Sequence, residues 1–350
     1  FYFILLADML LLGVYGMLNH AVTGSRYVLW APGYSNYTSE HRLSGTYFCP
    51  DHFAGVMELA LCLSLGILLA RRTEWKRRAF AAALALLALV VVALSKSRGG
   101  GLTVLVVIGA ALAWGWPQWP QKTRWAWRVV IVSLTGLVLI AFCGASAGNP
   151  EGYLTRFREH FGWSQMQGKS LAEKRDIIEQ SLRGSSRGRM YAGALRAWET
   201  QRIAGIGPGM HQNLWPHFAA SPDGDRGEGT WPSMPNYDFH SYEVHSDWIQ
   251  LLEEYGVVGL LLFLIPLSVL FGVLLAGLRR EEEAWKQADW KGTGSPHLAW
   301  ILAGILAGVA MGFHSFGDFN MQMPATVWLF AAIVALPLAE ILRTPGGAAS

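Results

Sequence analysis

Charge is what this sequence is short of. Only 15% of its 350 residues are Asp, Glu, Lys or Arg, against 52% apolar, where a soluble globular domain carries about 25% charged residues. That shortage excludes an ordinary soluble fold and points to a chain that crosses a membrane repeatedly. With a formal charge of only +3, nothing in the overall balance calls for nucleic acid, and none is expected as a partner. Cysteine is scarce as well: Cys49, Cys62 and Cys143 form no disulfide framework and have no metal-ligand spacing. A redox role is not expected. The opening Phe-Tyr-Phe-Ile-Leu-Leu lacks a basic segment, so it does not read as a secretory signal peptide, and the expectation is a piece of a longer chain.

Long apolar runs are what the sequence has instead. Stretches near the 20 or so residues that a bilayer requires fall at roughly 1–18, 53–70, 79–95, 102–116, 129–143, 257–278, 298–313 and 324–342. The expected fold is all-α, a polytopic membrane protein with about eight transmembrane helices. Arg71, Arg72, Lys76, Arg77 and Arg78 crowd between the second and third runs, and the positive-inside rule places them in the cytoplasm. Alternation then puts residues 144–246 on the outer face as one large loop subdomain. Helices one to five occupy 1–143, helices six to eight occupy 247–342, and 343–350 is a cytoplasmic tail. Trp114, Trp116, Trp119, Trp125 and Trp127 read as an aromatic belt at one inner boundary.

Several polar residues sit where a membrane protein pays to keep them. Residues 79–116 must make two crossings, which leaves nothing for a proper loop and holds Lys96 and Arg98 near the outer membrane surface. Basic residues at such depth snorkel, pair, or mark a ligand path; the guanidinium fork of Arg98 suits phosphate oxygens. Glu58 lies about two turns into an apolar run and is either functional or a structural partner for an arginine. In the loop, residues 144–202 carry ten Lys and Arg against six acids, whereas 203–247 carry one basic residue, Arg226, against six. The first half reads as helical, with Tyr191, Leu195 and Trp198 as its packing stripe, and the second as irregular. Arg189 and Arg196, seven apart, share another helical face that would suit a diphosphate or would simply be solvated.

Gly205-Ile206-Gly207-Pro208-Gly209 is not read as a nucleotide loop, because no strand precedes it, no helix clearly opens from it and Pro208 breaks the pattern. A helix stop and turn is expected. His211, His217, His240, Asp238, His245 and Asp247 have no metal-ligand spacing, nor does 223–229 have that of a calcium loop; no metal and no cofactor is expected.

The central motif is His245-Ser246, then nine residues, then Gly256-Val257-Val258-Gly259. Asp247 followed by Gln250 ahead of an apolar run reads as a reciprocal cap, so a helix starts at about Asp247. His245 then precedes the positive end of a helix dipole, which favours a neutral imidazole able to accept a proton.

This motif resembles that of the O-antigen ligase and polymerase family, bacterial membrane glycosyltransferases that use undecaprenyl-diphosphate-linked glycans. Four further runs resemble the family in the same order: Gly45 to Gly55, Ser97-Arg98-Gly99, Arg189 ahead of the Gly-x-Gly turn, and His314-Ser315-Phe316-Gly317-Asp318-Phe319-Asn320. The resemblance implies a GT-C-like helical membrane fold and metal-independent glycan transfer at the periplasmic face of the inner membrane. His245 would be the catalytic base. Arg98 and Arg189, with Arg196 beside them, would bind the diphosphate, and Glu58, His314 and Asp318 are accessory candidates. Its partners would be the undecaprenyl-diphosphate glycan, an acceptor glycolipid, glycan or protein, and membrane lipids. Ligation to lipid A core, polymerisation and protein glycosylation all stay open, with ligation preferred; a transporter or flippase for a lipid-linked anion is the alternative of a different class.

Overall fold

The computed structural model describes residues 2–29, 31–35, 42–70, 74–118, 158–218, 241–287 and 296–343. Over these residues the protein is all-α apart from one small antiparallel hairpin, β1 (Tyr27–Val28) with β2 (Ala31–Ser35). Among the described residues, six helices are long and apolar enough to cross a membrane: α1 (Tyr2–Thr23), α2 (Pro50–Leu69), α3 (Trp75–Ser95), α8 (Asp247–Gln287), α9 (Pro296–His314) and α10 (Pro324–Arg343). Helix α4 (Arg98–Gln118) holds a shorter apolar stretch, Arg98–Trp114. The chain is a polytopic membrane protein. The expected span at 129–143 lies outside the described residues.

Two compact units make up the chain. The first draws its residues from Phe1–Tyr153, Ser268–His314 and Met323–Ser350, the second from Leu154–Leu267 and Ser315–Gln322. In the first, α2 is buried almost along its length and packs against α1, α3, α4, α9 and α10. The link between α3 and α4 is as short as the length arithmetic requires. Lys96 takes a left-handed conformation (φ 52°) to end α3, and the Ser97 hydroxyl accepts the Gly100 N–H at 3.0 Å to begin α4. The last carbonyls of α3, which a helix leaves without partners, are met by the segment ahead of α2. Arg42 Nε donates to the Ser95 carbonyl at 2.7 Å, the Leu43 N–H donates to the Leu94 carbonyl at 3.1 Å, and Arg42 also pairs with Asp51 at 2.6 Å.

The second unit holds α5 (Leu171–Gly184), α6 (Ser186–Thr200), α7 (His211–Phe218) and the beginning of α8. Two expectations are corrected here. The buried face of α6 is Met190, Gly193, Ala194 and Ala197, not Tyr191, Leu195 and Trp198. Small side chains let the indole of Trp215 sit directly over Gly193, so the larger residues are pushed to the edges of the contact. A helix does open after the glycine run, since α7 begins at His211.

Helix α8 breaks at Gly256, whose φ of 63° and ψ of −169° are accessible only to glycine. The break frees the carbonyls of Glu253 and Glu254 and the N–H groups of Val257 and Val258 from the helical ladder, and buried backbone groups need partners. The turn at 202–207 supplies all four. Ile206 and Gly207 donate to Glu253 and Glu254 at 2.9 and 3.0 Å, while Arg202 and Ile203 accept from Val257 and Val258 at 3.0 and 3.2 Å. A β-carbon on Gly205 would lie 2.4 Å from the Glu254 carbonyl, and one on Gly256 would lie 2.2 Å from the Ile203 oxygen. The two glycine motifs thus form one joint, in which backbone meets backbone without side chains between.

Candidate active site

His245 stands immediately before α8 in a left-handed conformation (φ 60°), which for a side chain other than Gly, Asn or Asp costs energy that the surroundings must supply. Helix α8 begins at Asp247, as the sequence suggests, but the reciprocal cap does not form. Ser246 takes the capping position: its carbonyl accepts from the Gln250 N–H at 3.0 Å and its hydroxyl lies 3.5 Å from the Ile249 N–H. Asp247 and Gln250 turn instead to tertiary partners. The buried Asp247 carboxylate accepts from the Ser315 hydroxyl at 2.7 Å, the Met321 N–H at 2.9 Å and the Gln322 amide at 3.4 Å. Its own N–H is shared between the carbonyls of Ser315 and Asp318 at 3.0 and 3.2 Å. Gln250 accepts from the Val244 N–H at 3.0 Å and donates to Glu243 at 2.6 Å. Asp247 thus clamps the residue after His245 to the segment 315–322, while Gln250 holds the residues ahead of His245 against α8.

That clamp delivers Asp318 to His245. Asp318 Oδ1 lies 3.4 Å from His245 Nδ1 and also accepts the Phe319 N–H at 3.0 Å. The ring of Phe319 meets the imidazole edge-on with centroids 4.9 Å apart. Asp318 is 1% exposed and the His245 side chain 32%, so the carboxylate is sealed in while the imidazole keeps an open side. A carboxylate acceptor at Nδ1 places the ring proton there and leaves the lone pair on Nε2. Tyr191 supports the histidine from α6, its hydroxyl donating to the His245 carbonyl at 2.9 Å and to that of Phe316 at 3.3 Å. Burial pushes the phenol pKa up, with Arg187 opposing and Asp318 reinforcing the shift, so the group remains a donor. Arg187 reaches the same segment, its Nη1 3.6 Å from where a β-carbon on Gly317 would be.

The remaining candidates divide between the units. In the second, Arg189 and Arg196 both lie half-buried on α6. Arg196 spends Nε and Nη2 on the Phe218 carbonyl, at 3.0 and 2.5 Å, where it fastens the end of α7. In the first unit, Arg98 is the opening residue of α4, where helical N–H groups point toward any anion. Glu58 and His314 form a buried pair there, with His314 Nδ1 2.9 Å from Oε1 and 3.0 Å from Oε2. A β-carbon at Gly99 or Gly100 would stand 3.0 Å from His314 Nε2 or 3.1 Å from Glu58 Oε1; two of the three glycines after Arg98 make room for that pair.

A second buried histidine, His211, joins Glu253 at 2.8 Å through Nδ1 and Ser241 at 3.1 Å through Nε2. Since the Ser241 hydroxyl donates to the Glu243 carbonyl at 2.8 Å, it accepts from Nε2. No group of three or more His, Cys, Asp or Glu gathers as a metal site among the described residues; Asp238, His240 and 223–229 fall outside them. Sequence reasoning gave Tyr191 only a packing role and missed its bond to His245, along with Arg187 and the clamping roles of Asp247, Gln250 and Ser315. Nothing in their spacing announces contacts made across 54 to 125 residues of chain.

A family model described as O-antigen ligase matches residues 83–264, more than half of the chain, from within α3 through the His-Ser motif and past the Gly256 joint. The chain belongs to the O-antigen ligase family. No curated protein matches it. As an O-antigen ligase family member it is a multi-pass membrane enzyme of the glycosyltransferase type, acting on a lipid-linked glycan and an acceptor. The carrier alternative thereby gives way to an enzyme.

Proposed function

We propose that this O-antigen ligase family member moves a glycan from undecaprenyl diphosphate to an acceptor hydroxyl, lipid A core being the favoured acceptor, at the periplasmic face of the bacterial inner membrane. The observation that carries the reading is the His245–Asp318 pair at 3.4 Å, with one face of the imidazole open. His245 Nε2 takes the proton of the acceptor hydroxyl as the acceptor oxygen bonds to the anomeric carbon. The bond from that carbon to the diphosphate oxygen breaks, and its electron pair leaves with the diphosphate. Asp318 holds the ring and balances the imidazolium that forms. Arg98 and Arg189, with Arg196 as a weaker candidate because of its bonds to Phe218, neutralise the charge gathering on the leaving group. Fixed cations in a site poor in water are worth far more than in bulk solvent. No divalent metal is needed for that neutralisation.

The test is transfer by purified protein from undecaprenyl-diphosphate glycan to candidate acceptors, with products read by mass. A positioned base contributes about a hundred- to ten-thousand-fold, so His245→Ala should lose transfer on that scale while still binding the lipid diphosphate. At Arg98 and Arg189, Lys should be partly active and Ala nearly inactive, because Lys keeps charge but loses the paired fork. Chelator should change nothing. Transfer by His245→Ala within a few-fold of the parent, or loss with EDTA reversed by a divalent ion, would defeat this mechanism.

A further inference from the structure

Helix α5 has no buried residue, yet it is neither frayed nor uniformly polar. Ser170 and Glu173 form the reciprocal cap at its start, at 2.8 and 3.3 Å, and its sequence carries Leu171, Ile177, Ile178 and Leu182. Leu171 is 86% exposed, and Trp163, in the short turn ahead of the helix, is 58% exposed. Ile177 and Ile178 are half-buried and Leu171 and Leu182 are exposed, so a capped helix keeps part of its apolar stripe open to a partner.

Between this helix and the turn at 163–168 lies a cavity of about 800 Å³, within the size range of ligand sites. Its walls are apolar, built from Trp163, Met166, Leu171, Ile178 and Leu182. Its rim is cationic. Lys174, Arg175 and Arg183 face it against a single carboxylate, Glu179, and Glu179 is already bound to Arg183 at 2.6 Å. The cavity lies wholly within the second unit, and none of its lining belongs to the pair at His245 or to the arginines Arg98, Arg189 and Arg196.

We infer that this groove binds an anionic lipid of the bilayer that the protein spans. An apolar wall under a basic rim is complementary to an amphiphile with an apolar body and a negative head group, whereas a free anion would leave the Trp163 and Leu171 surfaces wet and an uncharged apolar ligand would leave the cations unanswered. Lys and Arg side chains beside apolar residues on one exposed helix are the composition of interfacial helices. The chain enters and leaves the membrane on both sides of this segment in sequence, so bilayer lipid is the amphiphile always at hand. The site is independent of the glycan chemistry proposed above.

Hydrogen exchange on the full chain in lipid nanodiscs tests the assignment. Discs of phosphatidylcholine alone are compared with discs that also contain phosphatidylglycerol, for the parent, Lys174→Glu/Arg175→Glu and Leu171→Ser. Because no residue of α5 is buried, these variants should fold, and unchanged exchange over α6 verifies it. Amides of 171–184 should slow by on the order of tenfold in the anionic discs, and both variants should lose most of that protection. Equal exchange in the two lipids would overturn the inference, as would protection that survives both variants. Equal protection by inorganic phosphate added to phosphatidylcholine discs would show a simple anion site and refute a lipid one.

Discussion

Replacing Asp318 separates the two services that its carboxylate performs for His245. Oδ1 is the atom shared by His245 Nδ1 at 3.4 Å and the Phe319 N–H at 3.0 Å. Asparagine can keep an oxygen at that position, held there by the Phe319 N–H, so the ring tautomer survives while the negative charge is lost. A hydrogen bond to a charged partner is worth about 1 to 1.5 kcal/mol more than one between neutral groups, which converts to about tenfold in rate. Alanine removes the acceptor as well. The imidazole can then turn and change tautomer, and the loss should approach the full contribution of a general base, about a hundredfold or more. The order expected is therefore parent, Asp318→Asn about tenfold lower, Asp318→Ala lower again by about another tenfold. Single-turnover transfer at saturating lipid-linked donor isolates the chemical step, and melting temperature controls for folding. If Asp318→Ala turned over within a few-fold of the parent, or if Asn were worse than Ala, Asp318 would not be the group that orients His245.

The Gly256 joint yields a stability prediction: Gly256→Ala forces a β-carbon into the Ile203 oxygen at 2.2 Å and into a backbone region closed to alanine, at a cost of about 3 kcal/mol or more. Denaturation in detergent should show it, and a melting temperature equal to the parent's would contradict the joint. Glu243 predicts a pH effect with a definite sign. Burial raises its pKa, the bond from Gln250 lowers it less, and Glu254 adds to the rise. The folded state therefore holds this proton more tightly than the unfolded chain. Its stabilising share is complete below the ordinary glutamate range and declines as pH rises through the window between the unfolded and the raised folded pKa. Glu243→Gln should melt higher than the parent at neutral pH, with the gap closing toward acid; a gap that widens as pH falls would reverse the assignment. For membrane orientation, a cysteine at Ser221 should react with an impermeant reagent in intact spheroplasts, and labelling only after lysis would turn the proposed topology over.

What the sequence determined by itself was whatever is set by local composition and by runs along one segment. Apolar length against bilayer thickness marked the spans, because a helix must satisfy its own backbone in lipid. Counting residues between 79 and 116 implied a turn with no loop, and Lys96 and Ser97 are all that link α3 to α4. The start of α8 at Asp247 was legible in the same way. What only the tertiary structure decided was the direction in which polar side chains turn once their local alternatives compete with distant ones. Asp247 and Gln250 have the spacing of a cap, yet three donors on 315–322 hold Asp247, and Gln250 is taken by Val244 and Glu243. For a buried carboxylate, several donors outweigh the single N–H that a cap would satisfy. The pairing of Asp318 with His245, of Glu58 with His314, and of one glycine motif with the other across 50 residues came from the same source. Each is a contact between segments far apart in the chain, chosen by which backbone and side-chain groups burial would otherwise leave unsatisfied, and no periodicity in one dimension carries that information.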